Sequence, residues 1–139
     1  MQLELVLFYY LRPGIPELSP DSTMKILLDP GHGLNTPGKH SPDGTLLEAA
    51  YNREIAQLTL SQLQANGHDA QLLVPETEDI PLKERVRRVN THCPAVLIEN
   101  FFMDNKKDLA YLLSQEGRRE IIETIIDGVE RCVLTSVSG

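Results

Sequence analysis

The chain has two cysteines, Cys93 and Cys132, in 139 residues, and no Cys-x-x-Cys pair. A disulfide framework is therefore excluded; two free thiols are expected, with a single bridge as the alternative. No apolar run comes near the ~18 residues that a membrane-spanning helix requires, so no span is expected. Basic charge is also scarce. Thirteen Lys and Arg against twenty Asp and Glu leave a net charge of -7, a poor electrostatic match to nucleic acid. The one basic cluster, Lys83-Glu84-Arg85-Val86-Arg87-Arg88, reads as the wet face of a helix rather than a phosphate track. The opening residues 1–11 are apolar but carry Glu4 and lack both a basic start and a small-residue cleavage site, so no export signal is read there. No internal repeat is present.

What the chain does have is the composition of a globular protein, with 41% hydrophobic and 24% charged residues. Its length suits about one domain, and the size-scaling relation has 15.6 kDa burying roughly two-thirds of its unfolded surface. Residues 1–23, with Pro13, Pro16 and Pro20, read as an N-terminal extension or loosely packed arm, and residues 24–139 as the domain proper. Residues 25–28 form an apolar run that stops at Asp29-Pro30-Gly31, as a buried strand does. The loop 31–45 is long for a small domain and rich in Gly and Pro, a hallmark of functional loops.

A helix is expected over residues 47–66, burying Tyr51, Ile55 and Leu58 with Ala56, Leu60 and Leu63, and ending at Asn66-Gly67. A second strand follows at 70–74. Asp79 is the expected N-cap of a second helix with Pro81 in its first turn and Leu82, Val86 and Val89 as its buried stripe. A third strand is expected at 95–98. Asp104 or Asn105 should cap a short helix carrying Leu109, Leu112 and Leu113. After Gly117 a longer helix should bury Ile122, Ile125, Ile126, Val129 and Val133. Strands alternating with helices imply an α/β fold, a small mainly parallel sheet flanked by helices.

In such sheets ligands gather beyond the carboxyl ends of the strands. His32 follows the first strand, Glu99 follows the third, and Glu48 opens the first helix at the same edge. An imidazole and two carboxylates suit a hydrolytic zinc centre. Each also has a bland role: a hydrogen-bonding loop histidine, a first-turn dipole partner, a surface carboxylate.

Three segments carry a resemblance: Ile26-Leu27-Leu28-Asp29-Pro30-Gly31-His32-Gly33; Glu48 with Asn52 one turn on; and Pro94 through Glu99 to Asn105. Together they resemble the zinc-dependent N-acetylmuramoyl-L-alanine amidases, over about residues 24–133. These cut the amide between the lactyl group of muramic acid and L-alanine in bacterial or phage-directed cell-wall lysis. The resemblance implies a truncated form of the zinc amidase (phosphorylase/hydrolase-like) fold, a zinc cofactor and peptidoglycan as partner. It also implies His32 and Glu48 as metal ligands and Glu99 as the catalytic glutamate; Asn52, one helical turn after Glu48, is the candidate residue to support them.

The family's third zinc ligand is a histidine at the end of a central strand, between the second helix and the strand that ends at Glu99. Here only Thr91, His92 and Cys93 fill that interval, so an internal deletion near residues 90–94 is expected. His92 and His68 lie at the opposite ends of their strands, the former roughly 20 Å from Glu99 at ~3.3 Å per residue. His40, in the long loop, is the candidate substitute ligand. A shortened sheet would expose an edge, and self-association through it is expected. Two readings stand: a zinc amidase, and a non-catalytic remnant or wall-binding module that keeps the fold. A third, an anion cradle at residues 29–33, lacks phosphate-loop spacing and ranks last.

Overall fold

The computed structural model describes residues 25–90 and 103–137. In chain order it contains β1 (Lys25–Leu28), α1 (Glu48–Ala65), β2 (Asp69–Leu72), α2 (Leu82–Asn90), α3 (Lys106–Leu113) and α4 (Gln115–Val137). The strands pair in parallel, Lys25 against Asp69 through Leu28 against Leu72, with α1 as the crossover. This is the expected α/β architecture with a small parallel sheet. The third strand expected at 95–98 lies outside the described residues.

Alternation along β1 buries both of its faces, as in parallel sheets covered on two sides. Ile26 and Leu28 face a core of Tyr51, Ile55 and Leu63 from α1, Leu109 and Leu112 from α3, and Ile121, Ile125 and Val129 from α4. Leu27 faces a smaller cluster with Leu73 and Val74, against which Ile80 and Val89 pack. Asn105 is the N-cap of α3, its side-chain oxygen accepting from the Lys107 N–H at 2.9 Å.

Several expected core positions differ. In α4 the fully buried stripe is Ile121, Ile125 and Val129, an i, i+4 series, while the expected Ile122, Ile126 and Val133 are partly buried and pack against the same core, Ile122 and Ile126 also lining a groove with Leu58. Leu58 is 46% exposed and outside the core. The helix also begins at Gln115, so Gly117 lies in its first turn, where a Cβ would fall 2.1 Å from the Tyr111 carbonyl oxygen.

The larger correction concerns α2. Leu82 and Val86, expected inside, are 75% and 49% exposed, and only Val89 turns toward the sheet. Arg85 takes the inward position instead, with 9% of its side chain exposed. It donates to the carboxylates of Asp29 and Asp79 and to the carbonyls of Ile80 and Pro30. Arg88 reaches the Leu73 carbonyl at 3.1 Å and pairs with Glu76 at 2.7 Å. The run 83–88 is therefore only partly a wet face. Asp79 is not the cap of α2 either; that helix starts three residues later, and the Pro81 carbonyl accepts from the Glu84 and Arg85 N–H groups.

Burial raises the Asp29 carboxyl above its ordinary value, outweighing the attraction of Arg85. The pair therefore orients more than it stabilises, but breaking it strands a buried charge. Arg85→Met is expected to cost about 3 kcal/mol in urea unfolding at neutral pH, comparable to truncating a buried leucine. Losing both charges in an Asp29→Asn/Arg85→Met double variant should cost less than the two single losses summed.

Hydrogen bonds from Arg88 hold Glu76 down to about 2, and bonds from Arg87 and then Arg88 hold Glu84 down to about 2, from an ordinary 4.5. Both folded values lie below the unfolded ones. Their stabilisation is therefore present above the ordinary carboxylate range and is lost as pH falls from there toward about 2. Urea midpoints measured across that window should fall with pH, and Glu76→Gln should flatten the slope.

Candidate active site

The site forms beyond the carboxyl end of β1. His32 and Glu48 come from different elements, and the His32 Nε2 lies 3.3 Å from the Glu48 Oε1. Both side chains are about a third exposed, at 30% and 29%, so the pair is open to a ligand from solution. Lys39 Nζ stands 4.0 Å from the other Glu48 oxygen.

The start of α1 is fixed by a folded-back loop. The Glu48 N–H donates to the Lys39 carbonyl at 3.0 Å, Ser41 N–H to the Leu46 carbonyl at 2.9 Å, and His40 bridges Leu47 in antiparallel fashion. Within it the buried Ser41 hydroxyl and the Thr45 hydroxyl both donate to Asp43 Oδ1, at 2.6 and 2.7 Å. These bonds hold the Asp43 carboxyl down to about 2, Ser41 contributing most. Glu48 is thus presented from a braced position although Leu47, at the N-cap, offers no side-chain cap.

His32 is held from the other side. It is the one non-glycine residue with positive φ among the described residues, at 60°, a conformation that most side chains avoid. Asn52, one turn after Glu48, donates to the Gly31 carbonyl at 3.4 Å. Arg53 donates to the His32 carbonyl at 2.8 Å. The next residues are stitched to the β2–α2 connection. Leu34 N–H donates to the Thr77 carbonyl at 2.8 Å, Asp79 N–H to Asn35 Oδ1 at 2.8 Å, and the Thr36 hydroxyl to Asp79 Oδ2 at 2.9 Å. That last bond is the main reason the Asp79 carboxyl lies below its ordinary value.

The sequence-derived residues thus divide. His32 and Glu48 come together, and Asn52 reaches the carbonyl next to His32. His40 does not join them: it is exposed, and its Nδ1 donates to the Ser41 carbonyl at 2.9 Å. Among the described residues no group of three or more His, Cys, Asp or Glu side chains forms a metal site. His68 sits at the opposite end of the sheet, beside Glu130 at 3.3 Å. Glu99, His92 and Cys93 lie outside the described residues. Arg53 was not singled out in the sequence because its partners are backbone carbonyls, which leave no trace in residue spacing; Arg85 and Asp79 were read there only as part of a solvated face and as a helix cap.

Gly33 carries the stitched loop at very close range. A Cβ there would stand 1.9 Å from the Asp79 nitrogen and 2.4 Å from the Glu78 carbonyl carbon. Gly33→Ala must therefore push residues 33 and 78–79 apart. The expected result is a lowered Tm together with faster amide exchange at Leu34 and Asp79, read by hydrogen-exchange NMR; unchanged exchange at both would show that the loop absorbs the extra carbon.

The N-acetylmuramoyl-L-alanine amidase family model matches residues 26–93 and 88–131. No curated protein and no solved structure matches. The two stretches take in most of the chain, and the chain belongs to the N-acetylmuramoyl-L-alanine amidase family.

Proposed function

We propose that this family member is a peptidoglycan hydrolase that cleaves the amide between the lactyl group of muramic acid and the first L-alanine of the stem peptide. His32 and Glu48 are its two identifiable zinc ligands and Glu99 its acid–base glutamate. The observation that carries the reading is the meeting of His32 Nε2 and Glu48 Oε1 at 3.3 Å, from separate elements, at the carboxyl edge of the sheet.

That separation fits the metal. Two ligands bound tetrahedrally at ~2.0–2.1 Å from zinc lie about 3.3 Å apart, and imidazole nitrogen with carboxylate oxygen is a donor set zinc accepts. Zinc, when bound, supplies Lewis-acid polarisation of the scissile carbonyl and of the attacking water. The chain supplies the rest. Arg53 and Asn52 fix the carbonyls of His32 and Gly31 and so the direction of the imidazole. Glu99 takes the proton of the attacking water and returns it to the leaving amine of L-alanine.

A second reading is favoured by a specific observation: no third donor joins His32 and Glu48 among the described residues. Catalytic zinc generally has three protein ligands. A family match in two stretches that meet at residues 88–93 supports a shortened middle there, where the family carries its third histidine. On this reading the chain contacts peptidoglycan without turning it over.

Zinc per chain after dialysis separates the two. Near-stoichiometric zinc that disappears in His32→Ala supports the hydrolase and a further ligand; background zinc supports the non-catalytic module. If zinc is held, Glu99→Gln should lower release of stem peptide from muramoyl-peptide by about 10²–10⁴-fold with zinc content unchanged.

A further inference from the structure

We infer that Arg53 is a positioning residue for the His32–Glu48 pair, setting the distance between the two side chains by gripping the backbone on either side of the site. The inference rests on the reading of that pair as a metal-binding half-site, and deepens it.

Arg53 lies on α1, five residues beyond Glu48, and its guanidinium spans three chain segments. Nη1 donates to the His32 carbonyl at 2.8 Å and to the Ala49 carbonyl at 3.2 Å. Nε and Nη2 donate to the Glu76 carbonyl at 3.3 and 2.6 Å. A single nitrogen thus ties His32 itself to the residue adjoining Glu48, while the other edge of the fork anchors both to the β2–α2 connection. Each of these acceptors is a backbone carbonyl.

This matters because His32 is in the left-handed region, with φ 60. Left to itself the peptide would relax to an ordinary conformation and swing the imidazole away from Glu48. Holding the carbonyl oxygen of His32 fixes the plane of the following peptide and, with it, the direction of the side chain. Asn52 restrains the preceding carbonyl only through a 3.4 Å contact, so Arg53 provides the shorter constraint. A lysine could not substitute: one ammonium on a flexible stem cannot reach three carbonyls arranged for a planar fork.

The sign of the effect separates positioning from simple charge. A guanidinium near a cation site disfavours the cation by repulsion, so a purely electrostatic role predicts tighter zinc when the charge is removed. Positioning predicts weaker zinc in Arg53→Gln and also in Arg53→Lys, which keeps the charge.

The test uses the full chain, with zinc affinity measured by competition against a chromogenic chelator. Beside it, the NOE between the His32 ring and the Glu48 side chain is recorded in metal-free protein. Both Arg53 variants should bind zinc about 10–100-fold more weakly, the usual cost of losing a residue that orients a ligand, and should lose the NOE while keeping the wild-type circular dichroism. Unchanged or tighter zinc with the NOE retained overturns the inference. If wild type and His32→Ala bind zinc equally poorly, the metal reading fails separately; the NOE then decides, its loss supporting the role of Arg53 and its retention refuting it. Should Arg53→Gln fail to fold, Arg53→Lys carries both measurements.

Discussion

At the carboxyl edge of the described strands the chain turns repeatedly, and several backbone carbonyls there are left without strand partners. Buried carbonyls need donors. Here three arginines provide them. Arg53 serves His32 and Glu76; Arg85 serves Pro30 and Ile80; Arg88 serves Leu73. The long loop, the first turn of α1 and the start of α2 are assembled around these side chains, and the His32–Glu48 pair sits within that assembly. The guanidinium fork suits this role because it reaches several acceptors in one plane without giving up its charge.

That constraint explains the orientation of α2. An amphipathic helix usually turns its apolar stripe inward, yet Leu82 and Val86 face out while Arg85 is buried. Satisfying Asp29, Pro30 and Ile80 from one residue fixes the rotation of the helix about its axis. Val89 is compatible with that rotation and packs on the Leu27 cluster; Leu82 and Val86 are not.

Much of this was legible in the sequence. The apolar run of β1, the long periodic pattern of α1 and the Asn105 cap are strong local signals, and all three appear at the expected positions. The convergence of His32 and Glu48 followed from topology alone, because a crossover helix after a strand starts at the strand's carboxyl edge. Choosing between Ile121 and Ile122 could not follow from spacing, since both stand at helical intervals from Ile125. A charged run such as 83–88 reads as solvated because side-chain-to-carbonyl bonds have no sequence signature. The family match in two stretches agrees with the resemblance carried by the Asp29–Gly33 motif, and leaves the number of metal ligands to the chemistry of the individual chain.

The left-handed backbone at His32 has a consequence for how this chain could change. A β-carbon in that conformation costs roughly 1–2 kcal/mol, which glycine would recover. At position 32 the side chain therefore carries a local backbone cost that glycine would not. A His32→Gly chain should be the sturdier scaffold and the emptier site. In backbone terms the imidazole is the costlier occupant of position 32.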